Sequence, residues 1–314
     1  MNLGVVLVTY NRLEKLKKAL LAYEQSTQLP KYIIIVNNNS TDGTTEYLQG
    51  WCQIPAIYMK KVINLKDNTG GSGGFHIGLE HACCEDVDWV WVADDDAYPH
   101  LNALEVTSNY LDYFKEQGRI DGISALCGAV YVNNRIQKMQ RRRYKKKFIF
   151  IKDEAVGEEE YLEEYFNIDM FSYVGTVINV PKMRKIGTTI KDYFIYYDDT
   201  EHSLRLRKEG DIVCIPQIRI IHDMEIETKK PDVISWKFYY GFRNRLDMLR
   251  RNYPYRFFFI ACIKNIFMAS MECLFVRKRI IGIVRFEATR DAIRGRLGIH
   301  EKYKPGWNSN NISQ

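Results

Sequence analysis

No C-x-x-C pair occurs among the seven cysteines, whose number is odd and whose spacing is irregular. That speaks against a zinc knuckle or a disulfide framework and leaves buried free thiols in a reducing cytoplasm. No basic n-region precedes the first apolar segment, so Met1-Asn2-Leu3-Gly4 does not read as a signal peptide. No apolar run in the C-terminal part approaches the ~20 residues of a membrane span. Phe257–Ile263 is the longest there, and Lys264 and Asn265 interrupt it. There is no internal repeat. Positive charge is also scarce where a nucleic-acid binder would need it. Residues 237–314 hold 16 Lys/Arg against 5 Asp/Glu, whereas residues 1–236 hold 29 against 34, and the net charge of the 314 residues is +6. A mildly acidic body with a basic tail does not coat a functional face with cations, so no nucleic-acid partner is expected.

What is present first is an alternation of strand and helix signals. Leu3–Val8, Tyr32–Val36, Ala56–Ile63 and Trp89–Ala93 read as buried strands, with helical spacing over Arg12–Glu24, a short helix up to Gly50 and another through Cys84. Repeated β-α units predict an α/β fold with a mostly parallel central sheet flanked by helices. Ligands then belong at the carboxyl ends of the strands. The opposite-sign blocks Arg141–Lys147 and Glu158–Glu164 read as a solvated, mobile excursion. Strands are expected at Ser172–Val180 and Ile212–Ile221, a helix at Thr200–Glu209, and helices from Asp232 to about Arg296 with a break near Pro254.

Chemistry concentrates at strand ends. Trp89–Ala93 delivers Asp94-Asp95-Asp96, and alternation places Asp94 and Asp96 on one side, a hard oxygen pair suited to Mg²⁺ or Mn²⁺ and a diphosphate. A solvated acidic cap is the plainer alternative. Asn68–Phe75 has four glycines in five positions before a helix, which lets backbone approach an anion; a flexible turn would look the same. It lacks the position of a dinucleotide fingerprint and the Gly-Lys-Ser/Thr of a P-loop. Tyr196–His202 follows a strand-like Tyr193–Tyr197 and brings Asp198-Asp199 to a helix start. There a carboxylate could act as general base or simply cap the helix. His222, after Ile218–Ile221, is either an edge histidine or a ligand.

Taken in order, Val5–Arg12, Val36–Thr44, Asp94–Asp96 and Asp198–Glu201 resemble the inverting family 2 glycosyltransferases of the GT-A fold. Asn68–Phe75 with Gly78, Phe194–Arg205, His222 and Tyr239–Asn244 are similar to its galactofuranosyl- and rhamnosyltransferase-like branch. The resemblance implies that Thr9, Tyr10, Asn11 and Arg12 line a nucleotide cleft, and that Asn37 stands where the family has a base-contacting Asp. It adds Asn39, Asn68, Gly73, Gly74, Asp94 and Asp95 as donor contacts. It makes Asp94, Asp96 and His222 ligands of Mn²⁺ or Mg²⁺, Asp199 the catalytic base, and Phe171, Ser172, Tyr173 and Gly175 the acceptor side. The implied donor is a nucleoside-diphosphate sugar, a UDP-sugar first, and the acceptor a glycan or lipid-linked glycan of cell-surface polysaccharide assembly. A nucleotidyltransferase is one alternative, and an inert carbohydrate-binding or scaffold subunit is another. The chain divides into a catalytic domain at residues 1–230 and a basic helical extension at 231–314. Apolar residues mixed with Arg and Lys over Tyr253–Gly298 suit a peripheral contact with the inner face of the membrane, or else a helical lid or a homo-oligomer contact.

Overall fold

A computed structural model describes residues 2–146, 150–224 and 233–312. The chain opens with β1 (Leu3–Thr9), α1 (Leu13–Glu24), β2 (Tyr32–Asn37), α2 (Thr44–Gln53), β3 (Met59–Asn64), α3 (Gly70–Cys84) and β4 (Trp89–Asp94). β1 and β2 are buried along their whole length, as expected of strands covered on both faces. β3, β2, β1 and β4 pair in parallel in that order. Then follow β5 (Ala97–Pro99), α4 (Ala103–Glu116), β6 (Ile123–Val132), β7 (Arg135–Ile136), β8 (Arg141–Lys146), β9 (Ile151–Ala155), β10 (Phe166–Ile168), β11 (Met170–Phe171) and β12 (Thr176–Asn179). α5 (Val180–Ile186), α6 (Asp198–Glu209) and β13 (Asp211–His222) complete the body.

The sheet order is β10-β13-β6-β12-β4-β1-β2-β3. Its direction changes at β12, which runs antiparallel to both β4 and β6, while β6 and β13 are again parallel to each other. One core cluster, around Trp91, Ile35 and Phe114, and another, around Val92, Phe75 and Phe171, draw alternate residues of the same strands. The two faces of the sheet are therefore both covered.

Three local expectations change. The glycines of Gly70–Gly74 are not a loop but the first turns of α3. They let the helix lie against β1: a Cβ on Gly74 would stand 2.5 Å from Val8 Cγ1, and one on Gly78 2.5 Å from Val6 Cγ1. The Arg141 to Glu164 region is not a solvated excursion. Its opposite charges pair, Arg142 with Asp153, Arg143 with Glu160 and Lys145 with Glu154, along a small sheet of β11, β8 and β9. Arg141 is fully buried, donating to the carbonyls of Gly128 and Val174 at 2.9 and 2.7 Å. Lys147, at the end of that basic run, lies outside the described residues. Tyr193–Tyr197 is not a strand, because Phe194, Tyr196 and Tyr197 all have φ of +67°.

α7 (Lys237–Asn252), α8 (Tyr255–Cys273) and α9 (Arg279–Ile293) form the C-terminal helices, with Pro254 separating the first two. The expected domain boundary at residues 230 and 231 lies outside the described residues. Among the described residues no helix is long and apolar enough to cross a membrane. The seven cysteines are free thiols; Cys127, Cys214 and Cys262 are buried, whereas Cys52, Cys84 and Cys273 are exposed.

Candidate functional site

The carboxyl ends of β1 and β4 open into a cleft of about 880 Å³. Thr9 ends β1, and its hydroxyl donates to Asp95 Oδ2 at 2.8 Å. Arg12 Nη1 reaches Asp96 Oδ2 at 2.8 Å and Asp95 Oδ1 at 3.3 Å. β4 stops at Asp94, so strand alternation does not extend to Asp96, and the adjacent Asp95 and Asp96 share one guanidinium. His222, the last residue of β13, places Nε2 3.3 Å from Asp96 Oδ1.

The three carboxylates do not titrate alike. Burial, and then the charges of Asp96 and Asp95, raise Asp94 well above the ordinary range. Burial pushes Asp95 up to about 6 against the pull of Arg12 and Thr9. Burial also acts on Asp96, but the His222 hydrogen bond and the Arg12 charge outweigh it and hold that group low. Arg12 pairs directly with two of the three and acts on Asp94 only through its charge; no side chain among the described residues donates to or pairs with Asp94.

Residues that could hold a divalent cation are Asp94, Asp96 and His222. Among the described residues no three His, Cys, Asp or Glu side chains form a ready metal cage. The donor chemistry nevertheless fits Mn²⁺ or Mg²⁺. Asp94 faces the cleft without a compensating charge of its own, and the buried His222 Nδ1 has no hydrogen-bond partner among the described residues.

The opposite wall is the start of α6. Its cap is Tyr197, in the left-handed region, so Asp199 is the second helical residue and not the cap. The helix N-terminus favours the negative charges of Asp198 and Asp199. Asp199 Oδ1 accepts from the Thr200 amide at 2.5 Å and the Thr200 hydroxyl at 3.0 Å, while Arg142 Nη2 donates to that hydroxyl at 2.7 Å. Burial raises Asp199, opposed by the Arg142 charge and the Thr200 contacts.

The strained turn ahead of Asp198 is fixed from outside. Asn244 Nδ2 donates to the carbonyls of Tyr193, Ile195 and Tyr196 at 2.9, 2.9 and 3.0 Å. Arg243 Nη2 adds contacts to Asp192 and Tyr193 carbonyls. From the other side, the Ser72 amide of α3 donates to the Phe194 carbonyl. Gly70, at φ +72°, would put a Cβ 2.0 Å from that same oxygen.

Thr9, Tyr10, Arg12, Asn68, Asp94, Asp95, Asp96, Asp199 and His222 stand together around this cleft, which Ser172 and Tyr173 also line. Asn11, Asn37, Asn39, Gly73 and Gly74 do not line it. Asn37 is buried and spent on structure: Nδ2 donates to Thr45 Oγ1 and Asn64 Oδ1, and Oδ1 accepts from the Ser40 amide. Asn11 ties its loop to Thr41. Gly73 packs on Thr69.

The cleft also contains residues that the sequence reading passed over, among them Asn38, Gln140, Arg142, Trp236 and Lys237. Asn38 links the Asn68–Gly70 turn to β2 through Thr69, Asn68 and Gly70. The run of three asparagines signalled that site, but the middle one sits just past the strand end. Arg142 was masked by the basic run around it.

Burial, and then the neighbouring Asp199 carboxylate, push Asp198 up to about 7 from an ordinary 3.8. A carboxyl raised on folding favours the folded state fully below pH 3.8, and that contribution is lost as pH rises through about 7. The apo protein should therefore melt progressively earlier from pH 4 to pH 7, and Asp198→Asn should flatten that slope. Parallel melting curves for the two proteins across this range would refute the assignment.

Residues 4–167, just over half of the chain, match the family described as glycosyl transferase family 2. Galactofuranosyltransferase GlfT1 of Mycobacterium tuberculosis is 36% identical over 94 residues, 30% of this chain and 30% of that protein. The dTDP-rhamnosyl transferase RfbF of Shigella flexneri is 23% identical over 262 residues, 80% of this chain and 81% of that one. The solved structure of GalNAc-T7 with UDP, GalNAc and Mn²⁺ superposes with a TM-score of 0.63 at 12% identity, covering 94% of this chain and 56% of that chain. The match thus spans about 30% of the length of the first curated relatives.

Proposed function

Because the chain belongs to glycosyl transferase family 2 and has the GT-A fold, we propose that it moves a sugar from a nucleoside-diphosphate sugar to an acceptor hydroxyl with inversion. The observation that carries this reading is the single cleft. It is lined by the Asp94–Asp96 strand end, by Asp199 and by Ser172 and Tyr173. In this reading residues 1–230 form the catalytic body and 231–314 the helical extension.

Thr9, Arg12 and Asn68 orient the donor, Asn38 holds Asn68 in place, and Asp94, Asp96 and His222 hold Mn²⁺ or Mg²⁺. Such a cation, when bound, neutralises a departing diphosphate. Asp199 takes the acceptor hydroxyl proton as the oxygen attacks the anomeric carbon from the face opposite the leaving group. Its raised affinity for a proton suits that role, provided it is ionised beforehand. Arg142, through Thr200, keeps the carboxylate in place. The relatives' names direct attention to galactofuranose and rhamnose donors, a UDP-sugar first, and to a glycan or lipid-linked glycan as acceptor.

A thermal-shift panel of sugar nucleotides, including UDP-galactofuranose and dTDP-rhamnose, with and without Mn²⁺, tests the reading. A donor at about 100 times its Kd should stabilise the fold by about 2.7 kcal/mol. His222→Ala should weaken the Mn²⁺-dependent part of the shift. Absence of any shift, together with no nucleoside-diphosphate release, would overturn the proposal. An unchanged Mn²⁺ titration in His222→Ala would remove that residue from the metal site.

A further inference from the structure

The basic tail is not uniformly exposed. α7 packs on α6 and on α9, and α9 lies between α7 and α8, whereas α8 turns one side inward and a wide apolar face outward. Phe257, Phe258, Cys262 and Ala269 form its inner side. On the outer side Phe259, Ile263, Phe267 and Leu274 are 57%, 53%, 63% and 74% exposed, and the α8–α9 turn adds Phe275 and Val276, the latter 92% exposed. Single exposed apolar residues are ordinary, but a contiguous stripe over a 19-residue helix and the turn after it marks a contact surface.

Charge decides what that surface meets. From Tyr255 to Phe286 there are six basic residues and one acid, Glu272. Glu272 is turned inward and taken by Arg285 through two hydrogen bonds of 2.9 and 2.8 Å. Arg256, Lys264, Arg277, Lys278 and Arg279 have no carboxylate partner among the described residues. Two copies of such a face would bring like charges together. A surface with anionic headgroups above hydrocarbon matches both the cations and the apolar stripe.

A neighbouring groove of about 390 Å³ has the same character. Its lining combines Leu249, Phe257 and Ile260 with Lys152, with Asp153, which Arg142 pairs, and with the cations Arg245 and Lys264, neither of which has a hydrogen-bond or ion-pair partner among the described residues. That is the pairing of hydrocarbon and positive charge that a phospholipid takes.

We propose that the α8–α9 hairpin is an interfacial docking element that lays the protein on an anionic lipid bilayer, with the outer side of α8 and the α8–α9 turn at headgroup depth. The inference does not rest on the proposed reaction. It also narrows the contact from the whole tail to one helix face and one turn, since α7 is occupied in holding the turn before Asp198.

Flotation of the full chain with phosphatidylcholine vesicles, and with vesicles of equal parts phosphatidylcholine and phosphatidylglycerol, tests it. The protein should float with the anionic vesicles only and be released by salt. The triple variant Arg277→Glu, Lys278→Glu, Arg279→Glu should lower the partition coefficient by roughly 100-fold. Phe267→Ser with Leu274→Ser should lower it by about tenfold or more. The replaced side chains are exposed, so melting temperatures should be unchanged; where one is not, the salt dependence of the unaltered chain decides. Failure to float with anionic vesicles overturns the proposal, as does equal flotation with both vesicle types. A stable dimer that Phe267→Ser with Leu274→Ser dissociates, without vesicle binding, overturns it in favour of a second copy.

Discussion

Asp199→Asn lowers kcat by roughly 10²–10⁴-fold, while the donor still raises the melting temperature. The substitution is nearly isosteric. The amide oxygen can still accept from the Thr200 amide and hydroxyl, which hold Oδ1 in the parent. What is lost is the capacity to take a proton. The fold should not suffer, because burial already disfavours the ionised carboxylate. Turnover with saturating donor and acceptor, read beside a donor thermal shift, separates the two effects. Near-normal turnover would take the base away from Asp199. An equal loss in Asp198→Asn alone would move it one residue along the same wall.

Asn244→Ala should cost more in stability than any other single change in the site, about 3 kcal/mol, since the half-buried carbonyls of Ile195 and Tyr196 lose their donor at once, while that of Tyr193 keeps the Arg243 guanidinium. In a chain of this size that corresponds to a fall in melting temperature of roughly 4–5 °C. Those carbonyls belong to a turn with three non-glycine residues at φ +67°, and left-handed backbone costs about 1–2 kcal/mol per residue. Without Asn244 the turn relaxes, and Asp198 and Asp199, which follow it directly, lose their place. Turnover should fall by roughly 100-fold, the cost of a misplacement of about 1 Å. Donor KM should stay near its original value, because Thr9 ends β1 and Arg12 directly precedes α1, away from the turn. Asn244→Asp should not rescue, as it offers oxygen to oxygen. Unchanged kcat with a lowered melting temperature would make Asn244 structural only.

The parallel half of the sheet was legible because β1, β2 and β4 are near-continuous apolar runs, although the edge strand β3 carries Lys60 and Lys61. The acidic strand end was legible for the same reason: a buried run that stops on three aspartates has few other readings. Other features escaped because each depends on a partner far away in sequence. Gly70–Gly74 reads as a flexible loop until β1 and Phe194 are seen pressed against it. Arg141 reads as a solvated charge until the carbonyls of Gly128 and Val174 surround it. Tyr193–Tyr197 has the composition of a strand, and only Asn244 explains why it is a tight left-handed turn. Asn37 has the position of a ligand-binding residue, but Thr45, Ser40 and Asn64 use up its polar atoms.

The turn before Asp198 is gripped by α3 from earlier in the chain and by α7 from later in it. This orders events on the ribosome. The parallel strands and α3 are made first, so a donor-side pocket can take shape while the rest is still being synthesised. The turn itself has half of its supports at that stage, and its left-handed residues have no reason to hold their shape. Only when Arg243 and Asn244 emerge does the second half arrive. A nascent chain would thus have Thr9, Arg12 and Asp94–Asp96 in place before the turn that carries Asp198 and Asp199, with His222 joining them only shortly before Asn244.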